Sequence, residues 1–172
     1  MLNSSAVRQQ ETETTVQVEA SAWILNFGDG IYASTAEVEM CHLVDMPKLL
    51  PMTQQKPYCR YALAWQGEAI PIIELPIMLK DEPSRQGKMS VVAIMRFWDE
   101  ARQELRYGAL NLADIPTRTL VQNEMECALP DTNLHWEQVA IACFTFAGRA
   151  VPVLDLQQVF ANVDTVQFKQ EV

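Results

Sequence analysis

The sequence predicts a mainly β protein that contains two similar small barrels and only short helices. Two observations support this prediction. Many short apolar segments are separated by turn residues, a pattern typical of antiparallel sheets. In addition, the segment GEAIPIIEL at residues 67–75 is nearly repeated 81 residues later as GRAVPVLDL at residues 148–156, with four of nine positions identical. We refer to these segments as the first and the second copy.

Each copy combines a glycine turn, a strand that contains a proline, and the start of a helix. Pro71 and Pro152 have no N–H to donate to a neighbouring strand, and proline is tolerated in sheets only at edges or bulges. Both copies therefore predict a place where a sheet bends or ends, as a small barrel requires. Two copies suggest two similar barrels, although a small β protein could also use this device twice without shared ancestry.

Local patterns predict the other elements. Residues 46–57 hold three prolines and are expected to form an irregular connection, whereas residues 35–44 fit a short helix or a strand equally well. Pro76 is expected to open one short helix and Asp155 to cap another, with Glu74 a weaker cap in the first copy. Turns are expected at residues 28–30, 65–68 and 147–149. Strands are expected at residues 22–27, 31–33, 58–64, 69–73, 90–98, 105–115, 136–146 and 150–154.

The length suits one domain with an extension at each end. Residues 1–20 are polar and contain no aromatic residue, so we expect a disordered N-terminal tail. Two intertwined barrel subdomains are expected over residues 21–161, and residues 162–172 would form a C-terminal tail. The charged segment at residues 80–88, which holds a proline and a glycine, is the expected internal boundary.

Composition argues against several kinds of partner. The net charge of −9 disfavours nucleic acid and an anionic membrane surface, because both require clustered Lys and Arg. No signal-peptide pattern is visible, and no uncharged apolar stretch approaches the roughly 20 residues that span a bilayer. The four cysteines show no metal-ligand spacing. We therefore expect a cytoplasmic protein with no membrane insertion, no metal and no other cofactor.

The sequence predicts no catalytic residue. It lacks the GxSxG, HExxH, GxGxxG and Walker motifs. Cys41 and His42 are adjacent, so neither a strand nor a helix would aim both side chains at one point. A small β-barrel enzyme or ligand-binding module that uses Cys41, His42 or Cys59 remains an alternative to a protein-binding module.

A set of motifs occurs here in a familiar order. A strand and glycine turn at residues 23–33 precede Val38-Glu39-Met40, then a proline-bearing loop, and then the two copies. This order resembles the CheW-like domain of bacterial chemosensory systems, whose central signature reads approximately Leu-Arg-Gly-x-x-[Val/Ile]-Pro-[Val/Ile]-x-Asp-Leu. The resemblance spans about residues 21–160. It implies two five-stranded barrels related by a pseudo-twofold axis, with no catalytic site.

The resemblance also implies a function. Proteins of this family are non-enzymatic scaffolds or adaptors that couple methyl-accepting receptors to a histidine kinase, which carries a CheW-like regulatory domain of its own. One surface of the first barrel would dock on the kinase, with the candidate residues Val38, Glu39, Met40 and Leu43. The groove between the barrels would meet the receptor tip, with the candidates Trp65, Gln66, Gly67 and Glu68. The repeated motif would owe its structure to Pro71, Glu74, Pro152 and Asp155.

Three positions depart from the family pattern. Gln66 stands where the family has Arg before the turn glycine, Met40 stands where it has an acid, and Tyr61 stands where glycine is common. Together with Trp65 ahead of the turn, these departures favour a divergent adaptor of the kind that serves type IV pili. On sequence alone, Val38, Met40 and Leu43 fit a docking surface and a hydrophobic core equally well.

Overall fold

The computed structural model describes residues 18–80, 89, 91–164 and 166–167. The strands are β1 (Glu19–Asn26), β2 (Tyr32–Ala36), β3 (Met40–Asp45), β4 (Leu49–Lys56), β5 (Cys59–Trp65), β6 (Glu68–Ile73), β7 (Val91–Asp99), β8 (Glu104–Leu112), β9 (Thr117–Gln122), β10 (Ala140–Phe146), β11 (Arg149–Leu154) and β12 (Val166–Gln167). The helices are α1 (Leu75–Lys80) and α2 (Leu156–Val159), and single 3-10 turns form at Glu37–Glu39, Asn123–Met125 and Trp136–Gln138. The predicted mainly β class with short helices is confirmed.

The strands form two sheets, which agrees with the predicted mainly β fold. The five-stranded sheet has the order β10-β11-β2-β1-β9. The seven-stranded sheet has the order β3-β7-β8-β6-β5-β4, and β12 pairs with β6 beside this path. The second sheet therefore exceeds the five expected strands by β4 and by the two-residue β12.

The chain does not divide between the sheets at its midpoint. Residues 81–88, where we expected the internal boundary, lie outside the described residues. The strands on either side of them, β6 and β7, belong to the same seven-stranded sheet. The chain changes sheets after β2, after β8 and before β12 instead, so the five-stranded sheet combines the two N-terminal strands with β9, β10 and β11.

Both sheets curl until their edges approach each other. The edge strands β3 and β4 are joined by residues 46–48 alone, a connection that reaches roughly 14 Å. Six flat strands would place these edges roughly 24 Å apart, so this sheet must close towards a barrel. In the other sheet, Glu126 follows the edge strand β9 and forms a bridge with Phe144 of the opposite edge strand β10.

Pro71 and Pro152 occupy matching places in the two sheets. β6 pairs with β5 on one side and, on the other, with β12 at residues 68–69 and with β8 at residues 72–73, so Pro71 lies where the partner strand changes. Pro152 likewise pairs with β10 on one side and directly precedes Val153, which forms the parallel bridge to β2. Each proline thus falls where no neighbour requires its N–H. The copies lie inside their sheets rather than at an edge.

Two strands within residues 21–161 were not predicted. β4 occupies most of residues 46–57, which we expected to be irregular. Pro51 is tolerated there because β4 is an edge strand, and its pairing with β5 becomes irregular after Pro51. β9 was missed because the Thr117–Gln122 side chains are exposed or only half-buried, so the segment lacks the apolar alternation of a strand with one buried face.

The expected terminal tails overlap with described strands. β1 begins at Glu19, inside the expected tail of residues 1–20, whereas residues 1–17 lie outside the described residues. Within the expected tail of residues 162–172, Val166–Gln167 form β12 against β6. The described strands β1 and β12 therefore lie partly or wholly outside residues 21–161.

Three hydrophobic clusters hold the described residues together. The largest gathers residues from both sheets and both helices, among them Leu25, Leu75, Leu110 and Phe160. A second cluster, around Ile70, draws on strands of the seven-stranded sheet alone, apart from Met89, and a small third cluster belongs to the five-stranded sheet. The shared central core is therefore larger than either cluster that belongs to a single sheet.

The segment after α2 is anchored on the β7–β8 hairpin. Arg106 is buried, pairs with Asp99 at 2.9 Å, and donates to the carbonyl oxygen of Val163 at 2.6 Å. The Arg106 hydrogen bond lowers the pKa of Asp99, against the effect of its desolvation. The Phe160 ring stacks on Phe97 with centroids 5.4 Å apart. These contacts hold the segment after α2 against the seven-stranded sheet, where β12 pairs with β6.

Candidate protein-interaction surfaces

The two copies begin with matching hairpin turns. In the β5–β6 turn, Gln66 and Gly67 have φ values of +49° and +79°, and in the β10–β11 turn Ala147 and Gly148 have values of +48° and +77°. Positive φ at both central residues is the type I′ geometry that suits a two-residue hairpin. A Cβ on either glycine would touch nothing, so glycine is needed for its backbone conformation. Gln66 and Gly67 therefore form an exposed tip.

Trp65 and Glu68 close the β5–β6 turn, and both are half-buried. The Trp65 ring packs against Tyr107 of β8, with centroids 5.0 Å apart and a tilt of 55°. Part of the Trp65 side chain therefore packs against the hydrophobic cluster of the seven-stranded sheet. Among the four receptor-groove candidates, Gln66 and Gly67 are the exposed pair.

The Glu37–Glu39 turn holds one apolar side chain out in solvent. Val38 is 70 % exposed. Its carbonyl oxygen accepts a hydrogen bond from Arg96 Nε at 3.1 Å, and the Glu37 carbonyl oxygen accepts one from Trp23 Nε1 at 3.3 Å. Arg118 also pairs with the Glu37 carboxylate at 3.1 Å. The side chains of Trp23, Arg96 and Arg118 thus hold the turn in place, so Val38 has a defined position.

The other kinase-docking candidates are only half-buried. Met40 and Leu43 pack against the central core. Glu39 turns back on its own segment, where its carboxylate accepts from the Ala36 backbone N–H at 2.9 Å. Burial raises the pKa of Glu39, and the charge of Asp155 adds to this, while the Ala36 hydrogen bond opposes it. Of the four candidates, Val38 is the most exposed.

The two candidate surfaces are connected across β7 and β8. Arg96, which binds the Val38 carbonyl, lies opposite Tyr107 in the β7–β8 ladder, and Tyr107 packs on Trp65. Two residues further along each strand, Trp98 and Leu105 form the next pair on this face, and each is 49 % exposed. Neighbouring residues of β7 and β8 thus link the Val38 turn to the Trp65–Glu68 turn.

Trp98 and Leu105 were not among the predicted site residues. The signal that points to them is the alternation in β7, where the strand positions Arg96 and Trp98 are exposed between buried neighbours. A tryptophan at an exposed position of such a strand is unusual for a solvent-facing side chain. It extends the apolar part of the face beyond the residues that the family resemblance implied.

The acidic residues of the two copies have different roles. Asp155 accepts a hydrogen bond from the Gln157 backbone N–H at 3.1 Å, which confirms the predicted cap of α2. Glu74 was expected to cap α1 weakly, and this is wrong. Its buried carboxylate instead accepts from Arg60 Nε and Nη2 at 2.9–3.1 Å, because a bidentate arginine is a stronger partner than a helix N–H.

The cysteines proposed for the enzyme alternative are not activated. Cys41 and His42 are exposed on β3, at an irregularity in its pairing with β7. Burial raises the pKa of Cys41, and the nearby Arg96 charge only partly opposes this. Burial and the charge of Glu74 raise the pKa of Cys59 to about 11. The cysteine nucleophiles of enzymes typically have a lowered pKa instead. Across the described residues, no group of three or more potential ligands could hold a metal.

An open cleft lies against the five-stranded sheet. It has a volume of about 460 Å³ and is lined by the starts of β2 and β11 and by residues 130–136. The Arg149 guanidinium lies 4.4 Å over the ring of Tyr32 at its wall. This cleft is the place where the ligand-binding alternative would apply, and it contains none of Cys41, His42 and Cys59.

No helix in the described part of the chain is long and apolar enough to cross a membrane. No protein-family model matches the sequence, and a search of curated proteins finds no match.

Two curled β sheets that share one central core, each containing a glycine-turn and proline-strand copy, define a double-barrel β fold of the CheW-like type. Among solved structures, the chain is similar to the scaffolding protein TtCheW from Thermoanaerobacter tengcongensis. The TM-score is 0.66, and the match covers 83 % of this chain and 93 % of that chain at 10 % sequence identity. At this identity the similarity establishes the fold, and the CheW-like fold predicted from the motifs is confirmed.

Proposed function

We propose that this chain is a non-enzymatic, cytoplasmic adaptor of a bacterial chemosensory system, coupling a histidine kinase to receptors. The observation that carries the proposal is the fold shared with a CheW scaffolding protein over 83 % of the chain. The raised thiol pKa values of Cys41 and Cys59 support a binding role over a catalytic one. The acidic composition fits a protein partner better than nucleic acid.

The kinase would be bound through its CheW-like regulatory domain at the Val38 turn. Val38 is exposed and the turn around it is held by Trp23, Arg96 and Arg118. A fixed apolar contact loses little conformational freedom when it binds, which favours affinity. Met40 and Leu43 would fix the position of this surface relative to the rest of the protein, since both side chains pack on the central core.

Replacement of Val38 by Glu is expected to weaken binding of the kinase regulatory domain by roughly ten- to hundredfold, because a charge would be buried at the contact. The measurement is calorimetric titration with the regulatory domain of a histidine kinase from the same genome. Ile141→Glu on β10 is the matched control, because Ile141 is 68 % exposed on the five-stranded sheet. Equal affinities of the Val38→Glu variant and the unaltered protein would refute the assignment of this surface.

The receptor would be met at the Trp65–Glu68 turn. Gln66 occupies the exposed tip of this turn, where the family has arginine. Gln66→Arg is therefore expected to raise affinity for a receptor tip peptide by up to roughly tenfold, since a charged hydrogen bond exceeds a neutral one. Together with Trp65, the natural glutamine supports a divergent adaptor, and we propose a system that controls type IV pili.

The second copy supplies the control for this variant. Ala147 has the same place and backbone conformation in the β10–β11 turn, so Ala147→Arg adds the same charge elsewhere on the protein. We expect the Ala147→Arg variant to bind the receptor peptide as the unaltered protein does. If both arginine variants raised affinity alike, the gain would reflect net charge, and the receptor surface would have to be sought elsewhere.

A further inference from the structure

Two of the four cysteines lie side by side where the five-stranded sheet closes. Cys127 follows Glu126, whose bridge to Phe144 links the two edges of the sheet. The Cys127 backbone N–H donates to the carbonyl oxygen of Cys143 at 3.0 Å, and the two sulfur atoms are 3.5 Å apart. Cys143 is 4 % exposed, whereas Cys127 is half-buried. One thiol is thus accessible and the other lies directly behind it.

We propose that Cys127 and Cys143 form a reversible disulfide when the protein encounters a hydroperoxide. The sulfur atoms would have to approach from 3.5 Å to about 2.05 Å, a shift that small side-chain rotations can supply. The backbone hydrogen bond already holds the two segments in register. This expectation rests on the cytoplasmic location proposed above, where disulfides in most organisms are transient and redox-sensing.

The reaction balances with one hydroperoxide per disulfide. With hydrogen peroxide, the sulfur of Cys127 attacks one peroxide oxygen and the O–O bond breaks as two electrons pass from sulfur to oxygen. The departing hydroxide takes up the Cys127 thiol proton, which gives a sulfenic acid and water. The sulfur of Cys143 then attacks that of Cys127. The S–O bond breaks, and the hydroxyl leaves as a second water with the Cys143 proton. Burial, with the contact to Cys127, raises the pKa of Cys143 to about 12, so Cys127 is the thiol that meets the oxidant.

The other cysteines are not placed for this chemistry. Cys41 is exposed on β3 of the seven-stranded sheet. Cys59 is buried, and its sulfur lies 3.4 Å from the sulfur of Met52. The Cys127–Cys143 bond would close a loop that contains Leu134 and Trp136, two residues of the cleft wall. Oxidation would therefore fix both the closure of the five-stranded sheet and one wall of the cleft.

The test is treatment of the full-length protein with hydrogen peroxide, followed by peptide mass mapping and thermal unfolding. We expect one cross-linked peptide pair containing Cys127 and Cys143, with the intact mass reduced by two hydrogen atoms. The Tm should rise by roughly 5–10 °C, and dithiothreitol should reverse both changes. Cys41→Ser should leave this result intact, whereas Cys127→Ser and Cys143→Ala should each abolish the cross-link.

Three results would overturn the proposal. The first is Cys127 oxidised to a sulfinic or sulfonic acid without any cross-link. The second is a cross-link that joins two molecules through Cys41 while the Cys127–Cys143 peptides remain reduced. The third is a Cys127–Cys143 cross-link that dithiothreitol does not reverse, since the proposal requires a bond that thiols can reduce.

Discussion

Replacement of Phe160 by Ala is expected to lower the free energy of unfolding by about 3–5 kcal/mol. Phe160 is fully buried in the central core, and its ring stacks on Phe97 of β7 with an interplanar angle of 13°. Truncation would remove the aromatic ring that packs the segment after α2 against the seven-stranded sheet, and it would leave a cavity there. Equilibrium unfolding in urea measures the loss as a lower midpoint at an unchanged slope.

Phe146→Ala is the matched control for this variant. Phe146 is half-buried and packs only on the small cluster of the five-stranded sheet, so the same truncation should cost clearly less there. Equal losses for the two variants would contradict the expectation that the larger central core contributes more to the free energy of unfolding than the cluster of either sheet alone.

Gly108→Ala is expected to cost about 1–3 kcal/mol through overpacking. A Cβ at this position would lie 2.3 Å from Phe160 Cε1, and the Phe160 ring cannot move away because the core surrounds it. In a Phe160→Ala background the same substitution should cost nothing, since the space is then empty and alanine suits a strand better than glycine. Urea unfolding of the four proteins measures this coupling.

Gly67→Ala separates a steric requirement from a conformational one. A Cβ on Gly67 would meet open space, but its φ of +79° strains any other residue. Its cost should therefore be the same with and without Phe160. If Gly108→Ala also lowered the free energy of unfolding equally with and without Phe160, glycine would be needed at that position for some reason other than the aromatic ring.

The local elements of this fold were predictable from short patterns. Gly67 and Gly148 are each the second of the two central residues of a type I′ turn. The conformation of such a turn depends on a few neighbouring residues alone. The helix cap at Asp155 was equally local, since its partner is the Gln157 backbone N–H two residues away. Features whose cause lies within four residues could thus be predicted.

Long-range pairing was not predictable in the same way. Pro51 lies in a strand only because β4 has a free edge, and the sequence does not show which strands form edges. The missed β9 pairs with β1, which lies near the other end of the chain, so a distant strand decides its structure. Glu74 was misassigned because its partner Arg60 lies on a neighbouring strand.

The candidate surfaces were predicted in part. The family resemblance supplied the Val38 and Gln66 regions, but only coordinates distinguish exposed Val38 from half-buried Met40 and Leu43. Trp98 and Leu105 form a cross-strand pair, and pairing depends on the register of β7 against β8. The sequence carries no direct record of that register.

The most direct test of the adaptor proposal is hydrogen–deuterium exchange with and without the regulatory domain of a chemosensory histidine kinase. We expect saturable protection of backbone amides in the Glu37–Glu39 turn and in β3, with β9 and β10 unchanged. Protection confined to β9 and β10, or no saturable protection anywhere in the chain, would contradict it.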